Sequence, residues 1–369
     1  MPTRADTPLM GKLKHLIVLT MMSMCIAPAY ACTSAIVGGR LTRDGRPLMW
    51  KHRDTGCVDN FVAQVRAGSD DELDYVALFN MGDSLLSEAW IGMNEAGFAV
   101  MNTASYNLAP DTAEYKDREG EVMSRALKLC RSLRDFESLL DGMPRPLGVQ
   151  ANFGAMDAEG SAAYYETCDT GYVKFDLADA PEGYLVRTNY SCSGSPDAGF
   201  GYIREQNELT LLKPWVDART VSPETFTENL SRSFYHSLLG RDVTDDGSEW
   251  IVDQDFIPRY SSSASVVVEG VSPGEAAEGM VMWTALGYPP CSYVHGVTVD
   301  EVPDGLLPSG KEWRSRFCDE VMERKSEVFP IKRGSGSHYI HVPSLKRHVD
   351  ECGGLSRKNY IEYRNKLRR

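Results

Sequence analysis

Cys32 follows Ala29-Tyr30-Ala31, a small-x-small pattern of the kind signal peptidase reads, so a cut after Ala31 would make cysteine the first residue. A thiol in that place carries its own base. The freed α-amine titrates at about 8 and loses basicity on burial, so it takes the thiol proton directly or through one water, with no histidine required. The resulting thiolate attacks a carbonyl carbon, becomes acylated, and yields the acyl group to water or to an amine. On position alone three readings of Cys32 stay open: a nucleophile, a structural or disulfide cysteine, and the lipidated cysteine of an anchored, non-catalytic binding protein. A lipobox places Leu three residues before its cysteine and a small residue two before, where this chain has Ala29 and Tyr30.

The segment ahead of Cys32 reads as an export signal. Arg4, Lys12 and Lys14 stand against Asp6, and Leu16 to Ala27 is almost wholly apolar. That run is too short to cross a bilayer core of roughly 30 Å as a helix. Residues 1–31 are expected to be a signal peptide, and the product to be secreted or periplasmic. No later stretch is long and apolar enough to span, so no stable membrane insertion is expected after cleavage. Of nine cysteines Cys25 would leave with the signal, and the remaining eight are scattered with no C-x-x-C pair. Cys168 with Cys192, and Cys318 with Cys352, are the disulfide candidates in an oxidising compartment.

The elements that must position Cys32 follow from local pattern. Thr33 to Gly38 and Pro47 to Lys51 flank Arg43-Asp44-Gly45-Arg46 and predict a hairpin. Glu88 to Gly92 and Gly97 to Thr103, joined through Met93 to Ala96, predict a second, with Gly97 at the positive φ of its turn. Apolar residues from Val122 to Leu140 recur at three- and four-residue spacing, predicting one helix over 119–140 that Pro144 ends. Strands are expected at 152–156, 162–167, 172–175 and 184–188, then a pair at 266–268 and 280–285. Ser222-Pro223-Glu224 predicts a second helix, running to Gly240. Hairpins with helices set apart, rather than regular alternation, give an α+β layered domain.

Composition bounds the partners. With 369 residues, 42% hydrophobic and 25% charged, the chain is globular, and its net charge of -13 with pI near 5.1 argues for no nucleic acid partner. Charge is uneven: residues 307–369 hold 15 Lys and Arg against eight Asp and Glu, while 32–306 hold 21 against 43. A basic C-terminal extension packed on an acidic body is expected, with a polyanion-binding arm as the sharper alternative.

Cys32-Thr-Ser-Ala-Ile-Val-Gly-Gly, followed by Asp44-Gly-Arg-Pro-Leu-Met-Trp-Lys-His-Arg-Asp54, resembles the opening of cysteine-type N-terminal-nucleophile (Ntn) hydrolases. The groups it is most similar to are penicillin V acylase and choloylglycine hydrolase, the acyl-CoA:6-aminopenicillanic acid acyltransferases, and related secreted dipeptidases. Gly92-Met-Asn-Glu-Ala-Gly-Phe-Ala-Val100 and Val186-Arg-Thr-Asn-Tyr190 extend the match in the expected order, and Ser261 to Val268 with Leu286-Gly-Tyr-Pro289 continue it loosely. The resemblance implies Cys32 as nucleophile and Asp54 as the carboxylate that holds its amine and thiol. Lys51 stands where the bile-salt and penicillin enzymes carry an arginine, which keeps a cation beside the thiolate and loses the guanidinium fork; Arg53 is the adjacent alternative. Along a regular strand Lys51 and Arg53 share one face and Asp54 takes the other, so both reach the thiol only if the strand ends or bulges there. Asn189 matches the oxyanion-binding asparagine. Asn102 lies where a second donor would sit, although direct alignment puts that asparagine at Ala104, and Arg259 is the candidate for a late arginine.

Other chemistry lacks its motifs: there is no H-E-x-x-H, Walker A loop, complete G-x-G-x-x-G or G-x-S-x-G, and His338 with His341 has no third metal ligand. The resemblance implies a four-layer αββα Ntn-hydrolase sandwich over 32–306, with 307–369 as an extension packed on it. It implies hydrolysis of a linear carbon–nitrogen amide in a small N-acyl compound, or acyl transfer by the same route, with no metal or organic cofactor. A secreted dipeptidase is the rival with the same chemistry, and assembly as a homo-oligomer is left open.

Overall fold

The computed structural model describes residues 31–109, 112–333 and 336–367. The expected signal peptide and Cys25 lie outside the described residues. Strands β1 (Thr33–Val37) and β2 (Leu48–Asp54) form the expected hairpin. Seven antiparallel strands then run as a meander: β3 (Asn60–Val65), β4 (Tyr75–Asn80), β5 (Ile91–Asn94), β6 (Ala99–Ala104), β7 (Ala151–Met156), β8 (Ala162–Cys168) and β9 (Gly171–Asp176). Gly97 turns β5 into β6 at φ 84°. The chain returns through β10 (Tyr184–Arg187) to lie beside β1. Later β14 (Ser262–Glu269), β15 (Val281–Leu286) and β16 (His295–Val297) complete a second antiparallel sheet in the order β10-β1-β2-β14-β15-β16.

Three apolar clusters show how the layers stack. Ile36, Met49, Val266 and Met282 of the six-stranded sheet meet Val76, Met93, Met101 and Tyr164 of the seven-stranded one. The outer face of the seven-stranded sheet buries Phe61, Phe79, Phe153 and Tyr165 against α1 (Glu119–Leu129) and α2 (Leu133–Gly142). The outer face of the other buries Trp50, Val186, Val267 and Trp283 with Leu212 of α3 (Tyr202–Ala218) and Tyr360 of α5 (Val342–Leu367). Helix, sheet, sheet, helix is the αββα sandwich, each sheet buried on both faces.

Two helix expectations are corrected. The span 119–140 is two helices: Cys130 is extended (φ -92°, ψ 137°), and Ser132 starts α2 with a capping box closed by Asp135. Both helices still present their apolar stripe to the same sheet, which is why the period runs through the break. Over 222–240 only a wide turn (Thr225–Asn229) and a tight one (Leu230–Arg232) wind before the short strands β11 (Tyr235–His236) and β12 (Arg241–Asp242). The chain leaves the helical path where Ser233 turns extended.

Helix α3 had no apolar signal. Its buried stripe is Arg204, Asn207, Glu208 and Leu212, a helical spacing filled mostly with polar residues.

The described residues between 307 and 367 are built into the body. They form the pair β17 (Pro308–Ser309) with β18 (Arg314–Ser315), then α4 (Arg316–Val328), and β19 (Tyr339–His341) pairs with β13 (Trp250–Val252). Phe317, Cys318, Val321 and Val328 enter the inter-sheet cluster, and Arg364 faces Asp44, Glu224 and Glu269. All eight described cysteines are free thiols, so neither candidate disulfide forms. Among the described residues no helix is long and apolar enough to cross a membrane, and no cluster of three or more ligating side chains could hold a metal.

Candidate active site

β2 is buried along its whole length although its last four residues are Lys51, His52, Arg53 and Asp54. Ionisable groups on a central strand persist only when each finds compensation. Alternation divides them. Met49 faces the inter-sheet space and Trp50 the helical layer, so Lys51 and Arg53 point between the sheets while His52 and Asp54 point toward α3.

On the inter-sheet face, Ser34 bonds Tyr164 across the sandwich at 2.8 Å, and alternation places Cys32, 6% exposed, on that same face. Lys51, 1% exposed, donates from Nζ to the Trp90 carbonyl and to Asn102 Oδ1, each at 2.7 Å. Burial lowers its pKa to about 7, opposed first by the charge of the Cys32 thiolate and reinforced by Arg53. Asn102 therefore turns its carbonyl to Lys51. Arg53 is held by Asn60 Oδ1 at 2.5 Å and Asn80 Oδ1 at 2.8 Å, and stacks over Trp90 with 4.9 Å to the ring centroid.

On the opposite face the Asp54 carboxylate accepts from Arg259 Nη2 at 2.5 Å through Oδ2 and from the Ser262 hydroxyl at 2.5 Å through Oδ1. The same Arg259 nitrogen lies 3.3 Å from the Ala31 carbonyl, one atom ahead of the Cys32 nitrogen. The pairing of β2 with β14 shifts here, Asp54 opposing Ser262 while Arg53 opposes Ala264. This bulge lies on the partner strand, and Lys51 and Asp54 keep opposite faces. The Cys32 sulfur lies 4.0 Å from the Asp54 carbonyl, within reach of a weak hydrogen bond. Lys51 thus acts on the Cys32 side chain through its charge, and Arg259, paired with Asp54, reaches the carbonyl of the preceding Ala31.

His52 supports Asp54 from behind. Burial lowers its pKa to about 4, with Asp54 opposing, so the ring is neutral at pH 7. Trp50 Nε1 donates to Ser265 Oγ at 3.0 Å, Ser265 and Ser231 hydroxyls lie 2.7 Å apart, and Ser231 is 3.2 Å from His52 Nδ1. Nε2 lies 2.8 Å from Ser262 Oγ. Because the indole can only donate, the chain of hydroxyls directs a proton at Nδ1 and leaves Nε2–H to donate to Ser262.

Arg204, from α3, joins the two remaining residues. Its Nη1 donates to the Cys32 carbonyl at 2.6 Å and Thr33 Oγ1 at 2.9 Å, and its Nη2 to Asn189 Oδ1 at 2.6 Å. The Asn189 amide donates to the Ala104 carbonyl at 2.9 Å, so Ala104 meets Asn189 through its backbone. Gly201 makes the approach possible: it sits at φ 95°, and a Cβ there would stand 2.5 Å from Arg204 Nη2. Burial lowers the Arg204 pKa to about 9, still charged at neutral pH. One turn on, Glu208 is fully buried with no hydrogen-bond partner for either oxygen, and burial raises its pKa well above normal. Arg204 makes no hydrogen bond to it and is left to Cys32, Thr33 and Asn189.

The structure brings Cys32, Lys51, Asn102, Asp54, Arg259 and Asn189 to one centre, and turns Arg53 to Asn60, Asn80 and Trp90. Arg204, His52 and Ser262 were missed by motif reading. His52 and Ser262 stood inside motifs already quoted, so two further polar residues on buried strands were the available signal.

No family model matches the sequence, and no curated protein matches it significantly. Among solved structures it is similar to a conjugated bile acid hydrolase of Clostridium perfringens, at 10% identity over 74% of this chain and 93% of that one, with a TM-score of 0.44. It is also similar to a Caenorhabditis elegans ortholog of N-acylethanolamine-hydrolyzing acid amidase, at 13% identity over 66% and 94% with a TM-score of 0.40. Penicillin V acylase from Agrobacterium tumefaciens gives 12% identity over 73% and 87%, with a TM-score of 0.37. These proteins fall in the group that the motifs around Cys32 resemble. With two antiparallel sheets between helical layers and Cys32 leading into the first strand of one of them, the chain forms an αββα sandwich, the architecture that the motifs around Cys32 led one to expect.

Proposed function

We propose that this protein is an exported amidohydrolase that cleaves a linear amide of a small N-acyl compound through an acyl-enzyme on Cys32. The observation that supports the reading is Lys51 on the thiol face of Cys32, with Arg259, the partner of Asp54, beside the Ala31–Cys32 bond that the export cut would break. Once signal peptidase has cut after Ala31, the α-amine of Cys32 takes the thiol proton. The sulfur attacks the carbonyl carbon, and the α-ammonium returns that proton to the departing amine. Water, deprotonated by the same amine, then opens the thioester and releases the acid. Lys51 stabilises the thiolate, Asn189 supplies the oxyanion donor, and Asp54 with Arg259 holds the amine. Lys51, Arg204 and Arg259 gathered around Cys32 support an N-acyl compound over a dipeptide, whose protonated amino terminus needs an anionic wall.

Intact mass after acid quench tests the reading. A panel of N-acyl amino acids, N-acyl amines and dipeptides is expected to give an acyl adduct that maps to Cys32, on a chain whose first residue is an unblocked cysteine. A diacylated or otherwise blocked Cys32, or turnover without an adduct under single-turnover conditions, overturns it.

Lys51 predicts the alkaline side of the pH profile. Its pKa of about 7 means that the positive charge is full below that value and lost above it. Thus kcat/KM is expected to fall as pH rises through 7, and Lys51→Arg, charged throughout, to remove that limb. Lys51→Met is expected to lower kcat roughly tenfold to a hundredfold. An unchanged limb in the arginine variant would show that Lys51 is not the titrating group.

A further inference from the structure

Arg259 and Ser262 reach Asp54 from a single turn. It is closed by the Ser262 N–H on the Arg259 carbonyl and by the Arg259 N–H on the Ser262 hydroxyl, both at 2.8 Å. Tyr260, inside that turn, is gripped at both polar atoms of its backbone. Its N–H donates to Asp253 Oδ2 at 2.8 Å, and its carbonyl accepts from Lys325 Nζ at 2.5 Å. The Tyr260 ring stacks on His338 with centroids 3.6 Å apart, and the Lys325 ammonium stands 4.6 Å from its centre.

Lys325 comes from α4, in the segment read from sequence as a basic extension. It is 3% exposed, and its ammonium also lies 5.6 Å from the Tyr288 ring. A buried lysine is a costly way to fill space, since an apolar side chain of that volume stabilises at least as well. What the ammonium adds is a charge-assisted bond to one carbonyl, opposite a carboxylate that holds the amide of the same residue.

We propose that Lys325, together with Asp253, is a positioning residue of the Cys32 site. The two clamp Tyr260 and so fix the turn from which Arg259 and Ser262 hold Asp54. This rests on the amidohydrolase reading above. Loosening the turn displaces the Asp54–Arg259 pair and leaves Lys51 and Asn102, on the other face of β2, in place. A shift of about 1 Å in a reacting group costs up to roughly a hundredfold in rate.

The test compares Lys325→Met and Lys325→Arg in the processed protein. Lys325→Met is expected to lower kcat tenfold to a hundredfold with KM within threefold. It should also slow alkylation of Cys32 by iodoacetamide, and Lys325→Arg should recover most of both. A purely structural lysine would lower the unfolding temperature and leave kcat per folded molecule at the parent value; that result overturns the proposal. If Lys325→Met does not fold, Asp253→Ala opens the other jaw of the clamp and is expected to show the same kcat loss, parent kcat again overturning it. Cys32→Ala separates the two readings. Turnover retained there removes the amidohydrolase reading, and the clamp is then judged on Cys32 alkylation in the Lys325 variants.

Discussion

Replacing Cys32 by alanine is expected to abolish amide turnover, by roughly a thousandfold or more in kcat, while the protein folds as before. The side chain is buried, and its hydrogen bond among the described residues is a weak one, from sulfur to the Asp54 carbonyl at 4.0 Å. Removing a single sulfur therefore costs on the order of 1 kcal/mol of stability, the scale of a small truncation. The chemical loss expected is far larger, because the proposed acyl-enzyme forms on that sulfur. Serine is expected to fail almost as fully: an amine of pKa about 8 is well matched to a thiol and poorly matched to an alcohol. Kinetics on the best N-acyl substrate, with thermal unfolding of the same samples, checks both halves. More than a tenth of parental kcat in the alanine variant would end the acyl-enzyme reading.

The second large effect is expected at Asp54, where stability and activity separate. Asp54→Ala removes the acceptor for both Arg259 and Ser262 and leaves a mostly buried guanidinium uncompensated. Breaking a buried pair from one side costs about 3 to 5 kcal/mol. Asp54→Asn keeps one side-chain oxygen for Arg259 and forfeits the second acceptor, so a loss of about 1 to 3 kcal/mol is expected. Both are expected to lower kcat by at least roughly a hundredfold, because neither restores the negative charge beside the Cys32 amine. Urea unfolding and kcat measured together decide it. Asparagine with full activity would mean that Asp54 holds the turn and has no electrostatic part in the reaction.

The strands were legible because period two shows wherever side chains alternate between environments. Both early hairpins formed as expected, and the alternation that set Lys51 and Asp54 on opposite faces held in the structure. Helices were legible only through an apolar stripe. The stripe of α1 and α2 was plain, although a capping serine cut it in two. That of α3 is Arg204, Asn207 and Glu208, which local pattern cannot distinguish from a solvated surface. The residue that binds the Cys32 carbonyl to Asn189 was hidden for that reason.

By itself the sequence determined the face that each near neighbour of Cys32 on β2 takes, since this rests on the period of a strand. Tertiary structure alone decided the partners. Arg204 meets Cys32 across 172 residues, Arg259 meets Asp54 across 205, and Lys325 meets Tyr260 across 65. Nothing in a local window encodes which buried cation will answer which carbonyl or carboxylate. That choice falls out of how the two sheets and their helices close, because a charge taken from water keeps its place only where the packed layers supply its counterpart.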